Sequence, residues 1–143
     1  MVLCVLPLCL VLGGIANAGY WMFRQPPIAF AQGPSEPTDP AEFASLPTGD
    51  AAAGEQLFTG PGGCSACHSL DADVRIVGPS LFDISTRAAA RKTDYTAEMY
   101  IYESITNPNA YVVDGFPGLM PAEYAKRFSD QQFADLIAFL MTR

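Results

Sequence analysis

The distribution of apolar and polar residues divides the chain into three parts, the first of which is an uncharged N-terminal stretch. No charged side chain precedes Arg24. A run of this length can cross a bilayer as a helix, which needs about 20 apolar residues. Tyr20, Trp21 and Phe23 stand at its end, where aromatic residues often mark the membrane interface. The pattern predicts a single-pass transmembrane anchor over residues 1–24.

The same stretch also has features of a cleaved signal peptide. Residues 16–18, which precede Gly19, have the small-x-small form of a signal-peptidase site. No basic residue opens the segment, however, and its length and aromatic end favour a retained, signal-like anchor. Cys4 and Cys9 are interpreted as small apolar residues of the span. Lipid attachment at Cys9 is the alternative, although residues 6–8 match a lipoprotein site poorly.

Residues 25–48 form the second part, which has the composition of a linker. They contain prolines at positions 26, 27, 34, 37, 40 and 47. Such a composition favours extended polyproline conformations over a packed core. We interpret the segment as a passive spacer; the alternative is that it lies along a partner subunit.

The third part, residues 49–143, shows helical periodicity and almost no strand signal, which predicts an all-α domain. Asp50 can cap a helix over residues 50–58. Gly54 lies inside this helix, where glycine costs about 1 kcal/mol relative to alanine. We therefore expect another element to pack closely against Gly54.

Two further helices are predicted from their end signals. One begins near Asp94 or Thr96, runs through Ile105 and stops before Pro108, because the residue ahead of a proline disfavours helix. The other begins at Ser129, which forms a capping box with the glutamine three residues on. The apolar face of this last helix consists of Phe133, Leu136, Ile137 and Leu140.

The charge of the chain narrows the choice of partners. The sequence has 8 basic and 15 acidic side chains and a net charge of −7. This balance speaks against nucleic acid as a partner, because phosphate recognition needs a basic surface. An acidic surface favours a basic docking face on a protein partner instead.

The candidate chemistry lies in the sequence CSACH at residues 64–68. The spacing C-x-x-C-H is the attachment signature of c-type haem: Cys64 and Cys67 form the thioethers, and His68 binds the iron. His68 is the only histidine, so this chain cannot supply two histidine ligands. A zinc site would need four ligands, and the other two cysteines lie far away near the N-terminus. A redox dithiol would be expected beside a βαβ pattern, which is absent here.

Met120 is the candidate for the second axial ligand. It lies in the loop FPGLMP at residues 116–121, whose prolines and glycine restrict the backbone. The other methionines fall in the predicted anchor, on a predicted helix or beside the C-terminus. A thioether opposite the histidine raises the haem potential. The alternative is that Met120 only fills a gap in the core.

In this order and spacing, the motifs resemble those of the class I, or mitochondrial-type, c-type cytochrome family over residues 54–140. The resemblance is carried by GEQLF at 54–58, CSACH at 64–68, VGPSL at 77–81, NPNAY at 107–111, MP at 120–121 and DLIAFL at 135–140. It implies the all-α cytochrome c fold, in which the first and last helices cross and Gly54 meets Phe139. It also implies that the carbonyl of Pro79 accepts a hydrogen bond from the ring of His68.

What the resemblance implies for function is one-electron transfer without substrate chemistry, with one covalent haem c held by Cys64, Cys67, His68, Pro79 and Met120. Together with the anchor, it suggests a subunit of a bacterial respiratory or photosynthetic complex, at the cytoplasmic membrane with the haem domain on the periplasmic side. Membrane lipid, other subunits and donor and acceptor proteins are the expected partners.

The hypothesis for the host assembly is a quinol-oxidising complex such as alternative complex III, and it rests on analogy. One alternative is a c domain associated with a terminal oxidase. Another is a peroxidase-like or gas-binding c-haem enzyme, in which Met120 would be displaced from the iron.

Overall fold

The computed structural model describes residues 40–143. The predicted anchor over residues 1–24 and the first part of the predicted linker lie outside the described residues. Within residues 40–143, none of the helices is both long and apolar enough to cross a bilayer.

The described part of the chain is helical and contains no strand, as the sequence predicts. Its elements are α1 (Pro40–Ala44), α2 (Ala51–Thr59), a 3₁₀ turn (Cys64–Ala66), α3 (Ile84–Ala89), α4 (Ala97–Thr106), α5 (Tyr124–Arg127) and α6 (Asp130–Leu140).

The predicted end signals of the three longest helices are confirmed. The side chain of Asp50 accepts hydrogen bonds from two backbone amides in the first turn of α2. Of the two predicted starts of α4, Thr96 is the N-cap, whereas Asp94 lies in the preceding turn with φ of 62°. Ser129 and Gln132 form the predicted capping box of α6.

The crossing of α2 and α6 forms the centre of the core. A Cβ atom at Gly54 would lie 2.0 Å from the carbonyl oxygen of Asp135 and 2.8 Å from Cβ of Phe139. The ring of Phe58 lies 5.5 Å from that of Phe139, centroid to centroid. The close approach expected at Gly54 is therefore present, and only glycine leaves room for it.

The structure differs from the prediction at residues 40–48, which lie on the domain although the composition indicates a linker. The ring of Phe43 on α1 lies 6.0 Å from the ring of Tyr102 on α4. Gln131 Nε2 donates a hydrogen bond to the carbonyl of Thr48 at 3.0 Å. A proline at the first position of a helix is compatible with helix, so the proline count concealed α1.

Helices α3 and α5 are also absent from the sequence prediction. They contain 6 and 4 residues, which is too short for a hydrophobic period to be recognised. Both are nevertheless fixed by packing, because Ala88 of α3 and Tyr124 of α5 are buried.

One buried carboxylate ties the loop before α4 to that helix. Glu103 accepts a hydrogen bond from Lys92 Nζ at 2.6 Å and another from Tyr95 OH at 3.0 Å. The hydrogen bond to Glu103 raises the pKa of the Lys92 ammonium group. The buried charge of Glu103 is thereby paired and hydrogen-bonded, as burial of a charge requires.

Candidate functional site

The motif at residues 64–68 forms a tight turn at the end of a glycine-rich loop. Gly63, with φ of 69°, precedes the 3₁₀ turn in a left-handed conformation. The amide groups of Cys67 and His68 both donate to the carbonyl of Cys64, at 3.1 and 2.9 Å. The turn brings both cysteines and the histidine to the wall of one cavity.

The imidazole of His68 is oriented by the backbone. Its Nδ1 lies 2.8 Å from the carbonyl oxygen of Pro79. Because a carbonyl can only accept, Nδ1 carries the proton and Nε2 keeps its electron pair. Burial lowers the pKa of His68, while the Pro79 carbonyl raises it to a lesser extent. The ring is therefore held in its neutral form, which is the form that binds metals.

The turn that carries Pro79 folds back onto the motif. The amide groups of Val77 and Gly78 donate to the carbonyl of Cys67, at 3.3 and 2.9 Å. A Cβ atom at Gly78 would lie only 2.5 Å from Cε1 of His68. Glycine at this position lets the backbone lie directly against the imidazole.

The cavity is lined mainly by apolar side chains, and five helices contribute to it, including α5 through Tyr124. The lining residues of the other four helices include two polar ones, Arg87 and Ser104. These four helices contribute Phe58 of α2, Ile84 and Arg87 of α3, Tyr100, Ile101, Ser104 and Ile105 of α4, and Leu136 and Leu140 of α6. Met120 also lines the cavity, whereas Met99 and Met141, the other methionines of residues 40–143, do not. The structure thus brings Cys64, Cys67, His68, Pro79 and Met120 to one site.

The residues of the cavity fit a covalently bound haem. The thiols of Cys64 and Cys67 are free, and burial raises the pKa of the Cys64 thiol. Nε of Arg87 is buried without a hydrogen-bond partner, although its Nη2 donates to the carbonyl of Ser80 at 2.6 Å. An apolar wall with one unpaired cationic donor suits a large flat ring that carries carboxylates.

The described residues do not form a metal site from side chains alone. Residues 40–143 contain no group of three or more His, Cys, Asp or Glu side chains arranged to hold an ion.

Two contacts that sequence reasoning missed hold the segments on either side of Met120. Before it, the guanidinium of Arg75 lies over the ring of Phe116, 3.9 Å from the centroid. After it, Tyr124 OH donates to the carbonyl of Gly62 at 3.1 Å. No local pattern could have shown these contacts, because each joins segments that are distant in the sequence.

A helical domain with a C-x-x-C-H turn, an oriented imidazole and a methionine on one apolar cavity defines a c-type haem protein. A family model described as Cytochrome c matches residues 51–143. The chain is 31% identical over 120 residues to Cytochrome c2 of Rhodospirillum rubrum. This match covers 71% of the present chain and 87% of that protein. It is also 31% identical over 116 residues to Cytochrome c of Guizotia abyssinica. That match covers 70% of the present chain and 96% of the relative. The chain belongs to the cytochrome c family.

Membership of this family confirms the predicted cofactor and the general class of function. The family binds one covalent haem c through cysteine, and Cys64 and Cys67 are present for it. Cytochromes c are electron carriers rather than enzymes, and they act with redox partner proteins.

Proposed function

We propose that this chain carries single electrons with His68 and Met120 as the two axial ligands of its haem iron. The observation that carries the proposal is that both side chains line the same cavity, which no other methionine of residues 40–143 reaches. When bound, the haem supplies an iron that gains and loses one electron.

The chain's own residues determine how that iron is held. Pro79 keeps the proton of His68 on Nδ1, which leaves Nε2 to donate its electron pair. The apolar wall would reduce the contact of the cofactor with water. With His68 and Met120 in both axial positions, no coordination position is open to a substrate, which favours a carrier over a peroxidase-like or gas-binding enzyme.

Absorption and electron paramagnetic resonance spectra of the oxidised protein test the axial ligands. We expect low-spin iron with a sulfur-to-iron charge-transfer band. Met120→Leu should abolish that band, whereas the control Met99→Leu, outside the cavity on α4, should leave it unchanged. High-spin iron without the band in the unmodified protein would support the enzymatic alternative instead.

We also propose that residues 1–24 anchor the domain to the bacterial cytoplasmic membrane, with the haem domain on the periplasmic side. The uncharged run and its aromatic end support this. Fractionation of cells tests the proposal: the protein should stay with the membranes through salt and alkaline washes. Recovery in the soluble fraction with Gly19 as the N-terminal residue would identify a cleaved signal peptide.

The proposed host is a quinol-oxidising complex such as alternative complex III. A tethered carrier meets its partner at a raised effective concentration, which is an advantage within a membrane assembly. Mild purification from native membranes should yield quinol-oxidising subunits together with this chain, and quinol should reduce its haem. Co-purification of terminal oxidase subunits would favour the oxidase-associated alternative.

A further inference from the structure

Arg75 connects the His68 side of the cavity to the loop that carries Met120. It lies in the loop between His68 and Pro79, and its Nη2 donates a hydrogen bond to the carbonyl of Gly115. Its guanidinium also lies over the ring of Phe116, 3.9 Å from the centroid. One side chain thus makes two contacts with adjacent residues of the methionine loop.

The geometry of the methionine loop suits these two contacts. Gly115 has φ of 80°, a left-handed conformation in which glycine is strongly preferred. Phe116 is itself part of the cavity wall and precedes Met120 by four residues. A planar guanidinium can stack on the ring and donate to the adjacent carbonyl at the same time, which a lysine ammonium cannot do equally well.

Met120 packs against the hydrophobic core, but the loop makes few hydrogen bonds to other segments. The backbone hydrogen bonds from Phe116 to Val113 and from Leu119 to Pro117 are internal to the loop, at 3.1 and 2.8 Å. Leu119, next to Met120, is 67% exposed. Among the described residues, the hydrogen bond from Arg75 is the one that joins residues 112–120 to a segment distant in the sequence.

We propose that Arg75 is a positioning residue that holds the methionine loop against the His68 side of the cavity and so keeps Met120 on the iron. This inference rests on the proposed ligation by His68 and Met120. The side chain of Arg75, which is exposed, acts through its contacts with Gly115 and Phe116. Its loss lowers the energy needed to move Met120 away, so an external ligand competes more readily for the iron.

Imidazole titration of the full-length, haem-loaded protein tests the inference, with the sulfur-to-iron charge-transfer band as the readout. In Arg75→Ala, we expect imidazole to displace the band with an affinity about tenfold higher than in the unmodified protein, because one charge-assisted hydrogen bond and one stacking contact are lost. Arg75→Lys keeps the charge without the planar fork, and we expect an intermediate affinity.

Arg143→Ala is the matched control. Its guanidinium lies over the ring of Phe139, 4.5 Å from the centroid, and neither residue lines the cavity. It should lower stability slightly and leave the imidazole affinity unchanged.

The outcomes separate this inference from the proposed function. If the unmodified protein has the band but Arg75→Ala binds imidazole no more tightly, the inference is wrong and the axial assignment stands. An equal increase in Arg143→Ala would also overturn it, because the effect would then follow general stability. If the unmodified protein lacks the band, both fail.

Discussion

At the scale of single residues, the position of His68 depends on backbone atoms more than on side chains. The carbonyl of Pro79 accepts its Nδ1 proton at 2.8 Å. The amide groups of Val77 and Gly78 both donate to the carbonyl of Cys67, the residue before the histidine. These hydrogen bonds form a short circuit of contacts that orients the ring. They leave no room for a side chain at residue 78.

Gly78→Ala tests how little room this circuit leaves. The added Cβ would lie 2.5, 2.9 and 3.0 Å from Cε1, Nδ1 and Nε2 of His68. Neither the backbone of residue 78 nor the imidazole can move away freely. The amide of residue 78 is hydrogen-bonded to the carbonyl of Cys67, and the imidazole to the carbonyl of Pro79. We expect loss of the low-spin spectrum and a decrease of about 2 kcal/mol in the free energy of unfolding, measured by absorption and denaturant titration.

Gly118→Ala is the control within the same cavity. Its methyl group would lie 3.2 Å from Oδ1 of Asn109, the end of a side chain that can move. This variant should keep the low-spin spectrum, and its free energy of unfolding should decrease by less than about 1 kcal/mol. An unchanged spectrum in Gly78→Ala would mean that the turn does not determine the position of His68.

The residues of the site differ in how far the sequence could reveal them. Cys64, Cys67 and His68 follow from a local spacing, because attachment chemistry dictates it. Arg75 and Tyr124 could not be predicted. Each acts on a backbone carbonyl 40 or 62 positions away, and a carbonyl has no sequence signature.

At the scale of elements, packing overrides helix propensity where α2 crosses α6. Gly54 weakens α2 as an isolated helix, since glycine is the poorest helix former after proline. In the domain, however, the backbone of Asp135 and the side chain of Phe139 occupy the place of a Cβ atom at residue 54. The close approach of the two helices is worth more than the lost propensity.

Gly54→Ala is therefore expected to destabilise the domain by about 3 kcal/mol despite its better propensity, because a Cβ 2.0 Å from a carbonyl oxygen forces the helices apart. Gln56→Gly, at an exposed position of the same helix, should cost only about 1 kcal/mol. Thermal and denaturant unfolding of both variants measure the difference. Equal losses would mean that α2 and α6 can separate without strain.

Helices α1 and α4 meet at Tyr102, which lies between two aromatic rings. Its ring is 6.0 Å from that of Phe43 and 5.5 Å, edge-on, from that of Phe133. Burial raises the pKa of Tyr102 to about 12, and the negative charges of Glu42 and Asp130 add to the effect. The phenol therefore holds its proton in the folded protein at pH values where the unfolded chain, with a tyrosine pKa of about 10, releases it.

The free energy of unfolding should consequently decrease as the pH rises from about 10 to about 12, because only the folded state still binds the phenol proton there. Tyr102→Phe has no phenol to titrate, so its free energy of unfolding should fall less over this pH interval than that of the unmodified protein. We expect a difference of about 1 kcal/mol, because solvent screening makes the contribution of the pKa shift smaller than its full value. Denaturant titrations at pH 9 and pH 11.5 measure it. Identical pH dependence in both proteins would exclude Tyr102 as the group concerned.

The elements that sequence reasoning could predict share one physical property. Helices α2, α4 and α6 contain 9, 10 and 11 residues and begin at a capping side chain. Helices α1, α3 and α5 contain 5, 6 and 4 residues. Helices of 4 to 6 residues span fewer than two turns, so an apolar period cannot repeat along them, and no capping side chain marks the start of α3 or α5.

At the scale of the whole molecule, two pairs of helices contribute to the wall of the cavity. Helix α2 packs on α6, and α3 packs on α4, whereas direct contact between the pairs is limited. Side chains of both pairs, such as Phe58 and Leu136 on one side and Ile84 and Ile101 on the other, face the cavity. The haem that the family binds would thus give both pairs a further apolar surface to pack on, beside the core that they already share.

Without the haem, the domain should therefore lose its cooperative unfolding transition as well as its haem absorption. In Cys64→Ala/Cys67→Ala, which cannot form the thioethers, the apolar walls lose their common partner. We expect residual helix in the far-ultraviolet circular dichroism spectrum, no near-ultraviolet signal and no sigmoidal thermal transition, as in a molten globule. Ser65→Ala, in the same turn but outside the cavity wall, should behave like the unmodified protein. A cooperative transition in the double variant would mean that the two helix pairs close on each other without the haem.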